Sequence, residues 1–258
     1  MCLIVFDWQP GTRHWLTLSA NRDEFYKRPT QALAPWPDAP TLYAGKDLEQ
    51  GGTWLGVTKS GHWAALTNVR ALGVGPENPR SRGELVLNYL TSNSTPANWL
   101  NALAAEEYAP FNLLIGTPDE LWYVTNHKYH QDAPPSVHHQ RLLAGRYSLS
   151  NANLNSPWPK AELALEQLNA LTHPTPEGLA NTLNRREPWP DNQLPTTGVP
   201  LMWERLLSAQ FILTPGYGTR CSTGLVTNGA ELDIQEITWN ESGKATKNRS
   251  YNIVLKDR

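Results

Sequence analysis

The sequence predicts an α+β fold in which mainly antiparallel sheets are covered by helices, and three observations predict it. The apolar segments run in the order strands, helices, strands, helices, strands. Within the β segments, short turns join neighbours as hairpins, a connection that a doubly wound parallel sheet does not use. The opening stretch from Met1 to Asp7 is apolar on both parities, as in a strand buried on both faces. A chain of 258 residues, 40% of them hydrophobic, is long enough for one large core. We read 1–258 as a single domain. Pattern alone leaves the arrangement open among α+β architectures.

After the first strand, Gln9-Pro10-Gly11 marks a turn, and His14 to Ala20 returns as the second arm of a hairpin. Residues 29–50 hold Pro29, Pro35, Pro37 and Pro40 and show neither period, so an ordered surface loop is expected there. A second such loop is expected over 186–200. Both contain Pro-Trp-Pro-Asp, but the likeness goes no further and makes no repeat. Strands follow at 53–58 and 62–68, joined by Lys59-Ser60-Gly61, whose glycine supplies the positive φ of a tight turn.

Ser81 with Glu84 has capping-box spacing, and Thr95-Pro96 places an N-cap before a proline at the first helical position. Strands are expected again at 111–116, 120–126 and 140–150. A helix opens at Ser156-Pro157 with Ala161, Ala164, Leu165, Leu168 and Leu171 on one stripe, and others start near Thr175-Pro176 and Pro200. Strands at 209–214, 219–227, 231–240 and 248–255 end the chain.

Composition narrows the function classes. A formal net charge of -2 creates no long-range field to gather nucleic acid or an anionic membrane. Cys2 and Cys221 are the only cysteines, far from the dense framework of a small secreted protein, which points to a reducing compartment. No basic region precedes the first apolar stretch and no small-residue cleavage site follows it, so an export signal is not expected. No window approaches the roughly 18 to 20 apolar residues of a membrane-spanning helix. The expected location is the cytoplasm, or an organelle matrix in a eukaryote. Eleven tryptophans are expected mainly in the core, where indoles bury a large apolar area.

Cys2 directly follows the initiator methionine, and a small penultimate side chain permits methionine trimming. Trimming would put a thiol and a free α-amine on one residue, with ordinary pKa values of about 8.5 and about 7.7 to 8.0, so the amine can act as base for its own thiol. Most unpaired cysteines, by contrast, simply pack. The cluster Ser19-Ala20-Asn21-Arg22-Asp23-Glu24 ends the second strand; alternation puts Asn21 and Asp23 on one face and Arg22 and Glu24 on the other. In a hairpin, one of these faces looks across at Cys2. The alternative for this cluster is a solvated, charged strand end.

Several stretches occur together: Met1-Cys2-Leu3-Ile4, Asn21-Arg22-Asp23-Glu24-Phe25 with Arg28-Pro29, Gly51-Gly52-Thr53-Trp54-Leu55-Gly56-Val57, Ala65-Leu66-Thr67-Asn68-Val69-Arg70, and Tyr217-Gly218-Thr219-Arg220. In this order and spanning most of the chain, they resemble the N-R-D-E family, which includes transport and Golgi organisation protein 2. That family is similar to the N-terminal-nucleophile (Ntn) hydrolases that cleave bile-salt and penicillin amides, so the resemblance implies a four-layer αββα sandwich of two mainly antiparallel sheets. It also implies catalytic roles: Cys2 as nucleophile, Asp23 holding its amine, Asn68 and Asn151 as oxyanion donors, and Arg220 beside the thiol. Asn21 matches the asparagine of a G-R-N-x-D pattern, and Asn21 and Arg22 are expected to bind substrate. One departure concerns the arginine of that pattern, where this chain has Ala20.

On these grounds the expected activity is amide hydrolysis or acyl transfer on a small acyl or amide substrate, with no cofactor required. The same resemblance implies an alternative, a non-catalytic carrier of haem, a lipid or acyl-CoA. Its histidine candidates, His127, His130, His138 and His139, have no diagnostic ligand spacing, so no metal ligand is assigned.

Overall fold

The computed structural model describes residues 2–71, 73–92, 94–127 and 137–256. The strands are β1 (Cys2–Trp8), β2 (Leu16–Phe25), β3 (Thr30–Trp36), β4 (Ala39–Asp47), β5 (Leu55–Thr58), β6 (Trp63–Asn68) and β7 (Phe111–Gly116). They continue with β8 (Leu121–Thr125), β9 (His138–Arg141), β10 (Gly145–Leu149), β11 (Leu213–Thr214), β12 (Tyr217–Asn228), β13 (Glu231–Trp239) and β14 (Ala245–Val254). The helices are α1 (Gly83–Thr91), α2 (Pro96–Asn101), α3 (Pro159–Ala170), α4 (Pro176–Ala180) and α5 (Leu201–Leu206).

Among the described residues, one sheet runs β10-β1-β2-β12-β13-β14 with β11 beside β12, and the other runs β3 to β9 in chain order. Every strand pairing within the two sheets is antiparallel. The expected N-terminal hairpin forms from β1 and β2, with Cys2 opposite Arg22 and Phe6 opposite Leu18.

Side-chain parity on β1 builds the layers. Ile4, Phe6 and Trp8 point between the sheets, where they meet Leu55, Val57, Trp63, Leu114 and Tyr123 of the second sheet. Leu3 and Val5 point the other way and pack with Ala161, Ala164 and Leu168 of α3 and Leu179 of α4. On the far side of the second sheet, Ala64, Leu66, Leu113 and Ile115 pack with Leu85, Val86 and Tyr89 of α1 and Leu100 of α2. Three apolar interfaces therefore separate four layers, α-β-β-α, the sandwich expected from the family. Trp8, Trp15, Trp36, Trp63 and Trp158 are buried, five others are half-buried and Trp203 is exposed, so the expectation of indoles as core material holds for about half of them.

Local expectations were met unevenly. Thr95 and Thr175 cap their helices, accepting from the Asn98 and Gly178 amides. Residues 29–50 are not a loop: they form β3 and β4, because β3 lies at the edge of its sheet, where proline removes no needed ladder bond. The stretch 140–150 is not one strand. It belongs to β9 in one sheet and β10 in the other, with the chain crossing between them at residues 142–144. The Ser81–Glu84 capping box is absent, since the Glu84 carboxylate pairs with Arg80 instead. The helix foreseen at Ser156-Pro157 starts at Pro159, and of 209–214 only Leu213–Thr214 is strand.

Gly224 lets α4 lie on β12: a Cβ there would come within 2.0 Å of the Pro176 carbonyl oxygen and 2.7 Å of the Ala180 nitrogen. Both are backbone atoms of the α4 segment and cannot swing aside. Gly224→Ala is expected to destabilise the chain by about 1 to 3 kcal/mol through overpacking. Urea unfolding monitored by tryptophan fluorescence checks this, and an unchanged midpoint would contradict the tight α4–β12 contact.

Candidate active site

A cavity of about 260 Å³ opens at the end of the sandwich where β1 begins, β2 ends and α1 starts. Cys2, Arg22, Asp23, Asn68, Trp54 and Arg82 are among the residues lining it. Cys2 is partly exposed and unbridged, and Cys221 is buried and also free.

The β1–β2 register positions the first two groups. Cys2 shares parity with Ile4 and Phe6, so its side chain enters the space between the sheets, and its partner Arg22 does the same. Arg22 lies with its guanidinium carbon 4.3 Å from the centre of the Trp54 ring. Trp54 reaches there because residue 45 is glycine: a Cβ would meet the indole at 2.2 Å. Gly52 has a similar use, since a Cβ on it would stand 2.5 Å from the Gly83 backbone. The Gly51-Gly52-Thr53-Trp54 motif thus sets the wall of the cavity and its distance from α1.

Asp23 has the opposite parity and is buried beneath α3. Its Oδ1 accepts a hydrogen bond from the Thr219 hydroxyl at 2.7 Å. Burial pushes its carboxyl pKa up, against the opposing pull of Lys160, the Thr219 bond and Arg22. Burial also pushes the Cys2 thiol up and the Asp23 charge adds to that, while Arg22 and the Asp23 backbone N–H favour the thiolate.

Asn68, the last residue of β6, lines the cavity. Its amide has no hydrogen-bond partner among the described residues. Its backbone is tied down, because the Asn151 side chain donates to the Asn68 carbonyl at 2.8 Å and the Arg70 amide donates to the Asn151 carbonyl at 2.8 Å. The Ser150 hydroxyl donates to the Cys2 carbonyl at 3.2 Å, so one short loop anchors both walls.

The structure does not bring every candidate to the cavity. Asn151 is fully buried behind Asn68 and does not line it. Asn21 sits under the helical layer, donating to the Leu183 and Gln210 carbonyls at 2.7 and 2.9 Å and accepting from Ser222 at 2.6 Å, which leaves nothing for a substrate. Arg220 occupies a bulge of β12, skipped between Thr219 and Cys221, and donates to the Phe25 and Arg28 carbonyls at 2.7 and 3.0 Å. A bulged residue leaves the ladder's alternation, so spacing from Thr219 could not place it. The arginines at the cavity are Arg22 and Arg82, with Arg28 and Arg80 at its rim.

Sequence reasoning missed Lys160, Thr219 and Arg82. Lys160 is 2% exposed, donates to the Leu207 carbonyl at 2.9 Å, and interacts electrostatically with Asp23, Cys2, Arg70 and Glu204. It does carry a signal, a lysine spaced i, i+4, i+8 with Ala164 and Leu168 on the apolar stripe of α3. Nearby, Arg70 and Glu204 form a buried ion pair, and the Arg70 guanidinium lies 4.8 Å from the centre of the Trp158 ring. Of the histidines, His127 is half-buried, His138 and His139 are exposed on β9, and His130 lies outside the described residues. None of those described lines the cavity.

Burial holds the Lys160 ammonium down from 10.5 to about 8, with Arg70 adding to the effect and Asp23, Cys2 and Glu204 opposing it. Between these values the unfolded chain binds a proton that the folded chain has shed, so the desolvation penalty present below pH 8 is relieved as pH rises. Relative to Lys160→Met, wild type should gain stability between about pH 8 and 10.5, with a slope of up to about 1.4 kcal/mol per pH unit. Urea titrations of both proteins at stepped pH measure the difference, and a flat difference would contradict a depressed lysine.

The family model for Transport and Golgi organisation 2 matches residues 1–241. The chain is similar to the Transport and Golgi organization protein 2 homolog of Bos taurus, 32% identical over 88% of this chain and 89% of that protein. It is 33% identical to the Homo sapiens homolog over 86% of this chain and 87% of that one. The Drosophila melanogaster protein is 31% identical over 76% and 77%. Among solved structures, the Caenorhabditis elegans ortholog of N-acylethanolamine-hydrolyzing acid amidase superposes with a TM-score of 0.51 at 11% identity, covering 87% of this chain and 92% of that one. The last likeness is one of fold, the Ntn-hydrolase sandwich.

Proposed function

The chain belongs to the Transport and Golgi organisation 2 family, and on that footing we propose that it is an N-terminal-cysteine amide hydrolase or acyltransferase acting on a small acyl or amide substrate. The observation that carries this reading is that Cys2, Asp23 and Asn68 line one cavity. A thiol, a carboxylate and an amide donor are the groups that acyl transfer by an N-terminal nucleophile needs.

In this reading Met1 is removed, and the freed amine of Cys2 takes the proton of its own thiol. The sulfur attacks the substrate carbonyl, and the electron pair displaced from the C=O bond collects on oxygen, stabilised by the Asn68 amide. Collapse breaks the C–N bond; the leaving nitrogen takes the proton from the α-ammonium, and an acyl-Cys2 thioester remains. Water, deprotonated by the same amine, then releases the acid and restores the thiol; an acceptor other than water gives acyl transfer. Asp23 steadies the ammonium. Asn151 serves by holding the Asn68 backbone and Arg22 by favouring the thiolate, while Thr219 keeps the Asp23 carboxylate oriented.

The alternative, a haem, lipid or acyl-CoA carrier on the same fold, draws less support. The cavity lining is largely polar or charged, includes Trp54 as its only aromatic side chain, and contains no histidine. Cys2 alone could serve as an axial ligand, and the lining lacks the apolar walls that a porphyrin needs.

An acyl electrophile directed at thiols is expected to label the processed protein at Cys2 and to leave Cys2→Ala unlabelled. Removing the amide in Asn68→Ala should lower turnover of a cleavable amide by about 10²- to 10³-fold, as for other oxyanion donors. Peptide mapping and steady-state kinetics read the two outcomes. Equal labelling of wild type and Cys2→Ala would remove the nucleophile from the scheme.

A further inference from the structure

We propose that the Cys2 cavity selects a substrate carrying an oxyanionic group, a carboxylate or a phosphate, close to the bond it cleaves, and that Arg82 is the residue that receives this group. The proposal deepens the hydrolase reading and rests on it for the word substrate. The anion site itself stands on the charges of the cavity.

Four arginines and three carboxylates line the cavity, and most are already matched. Arg28 binds Asp47 at 2.8 Å and reaches Glu49 at 3.5 Å. Arg80 pairs with Glu84 and Glu107, both at 2.7 Å. Arg22 stacks on Trp54 and stands 4.0 and 3.9 Å from Glu24 and Asp47. Asp23 is turned beneath α3 and engaged by Thr219.

Arg82 differs from the rest. Among the described residues it forms no ion pair, and its guanidinium makes a single hydrogen bond, from one terminal nitrogen to the Pro110 carbonyl at 3.1 Å. It is half-buried, and its electrostatic neighbours include the Cys2 sulfur and Glu24. Guanidinium stays charged under all ordinary conditions, so a partly desolvated positive charge faces the nucleophile with most of its donors unused. A neutral amide would leave that charge unanswered, whereas an oxyanion beside the scissile bond would take a forked, charge-assisted contact.

Arg82 is held in place from two sides. It is the residue before α1, whose start is pressed against Gly52 and hydrogen-bonded through the Gly83 carbonyl to the Thr53 amide at 3.2 Å. No side chain caps that end of the nine-residue helix. Its positive end therefore adds to the field at the cavity mouth, offset in part by Glu84 in the first turn.

The test uses the full chain carrying Cys2→Ala, which cannot turn over, and three probes with one acyl chain: N-hexanoylglycine, the neutral N-hexanoylglycinamide, and N-hexanoyl-phosphoethanolamine. Calorimetry should find at least one of the two anionic probes bound about tenfold or more tighter than the neutral one, with the preference collapsing when Arg82→Ala is added and returning in part with Arg82→Lys. Whichever anion binds tighter identifies the group. Equal binding of anionic and neutral probes, no saturable binding of any probe, or a preference untouched by Arg82→Ala would overturn the proposal. A parallel assay of the processed wild type on the same probes separates the two readings. Anion-selective binding without cleavage of any probe sinks the hydrolase and leaves the anion site; cleavage without charge preference does the reverse.

Discussion

One register governs the site: Cys2 stands opposite Arg22 in the β1–β2 ladder. Alternation then sends the thiol and the guanidinium between the sheets and turns the Asp23 carboxylate beneath α3, so the groups reach one cavity from two sides of a strand pair. A slip of one residue would also expel Ile4, Phe6 and Trp8 from the inter-sheet core and draw Leu3 and Val5 into it. Packing on both faces of β1 therefore enforces the geometry around Cys2. From Leu3 to Phe6 the strand β1 has no polar face to spare, so the proposed chemistry falls to its first residue.

Behind that strand the fold buries an unusual amount of charge. Arg70, Glu204, Lys160 and Asp23 are all almost inaccessible. Isolated, each would be costly to desolvate; grouped, they satisfy one another, as where Arg70 meets Glu204 and Thr197 donates to the same carboxylate. Burial also moves protonation equilibria toward neutral pH, with Lys160 shifted down and Asp23 shifted up, while their mutual attraction holds both shifts back in part. Groups poised in this way are suited to steadying an amine that must gain and lose a proton in each turnover.

The layered fold was legible where local pattern and packing agree. The double apolarity of residues 1–7 announced a strand between two layers, and the Thr-Pro starts of α2 and α4 were read correctly because capping is a local interaction. Residues 29–50 were illegible because edge strands tolerate proline and need no clean alternation. At the site, Cys2, Asp23 and Asn68 could be gathered by family likeness, although their shared cavity depends on contacts far apart in the chain. Arg220 could not be placed, since a bulge is invisible in spacing, and Asn21 looked available because nothing in the sequence reveals the carbonyls of 183 and 210 that occupy it. Arg82 is conspicuous only once every other arginine in the cavity has been matched to its partner.

Family membership and the Ntn-hydrolase sandwich describe ancestry and architecture; activity resides in the site. In the proposed chemistry the base is the α-nitrogen of Cys2 itself, so the whole scheme requires a chain that starts at that residue. The most direct measurement is the intact mass of the protein purified from its native cell without a tag. The account predicts a species lacking the initiator methionine, with Cys2 as the first residue. A population that retains Met1 throughout would contradict it, because an acylated nitrogen cannot serve as the base.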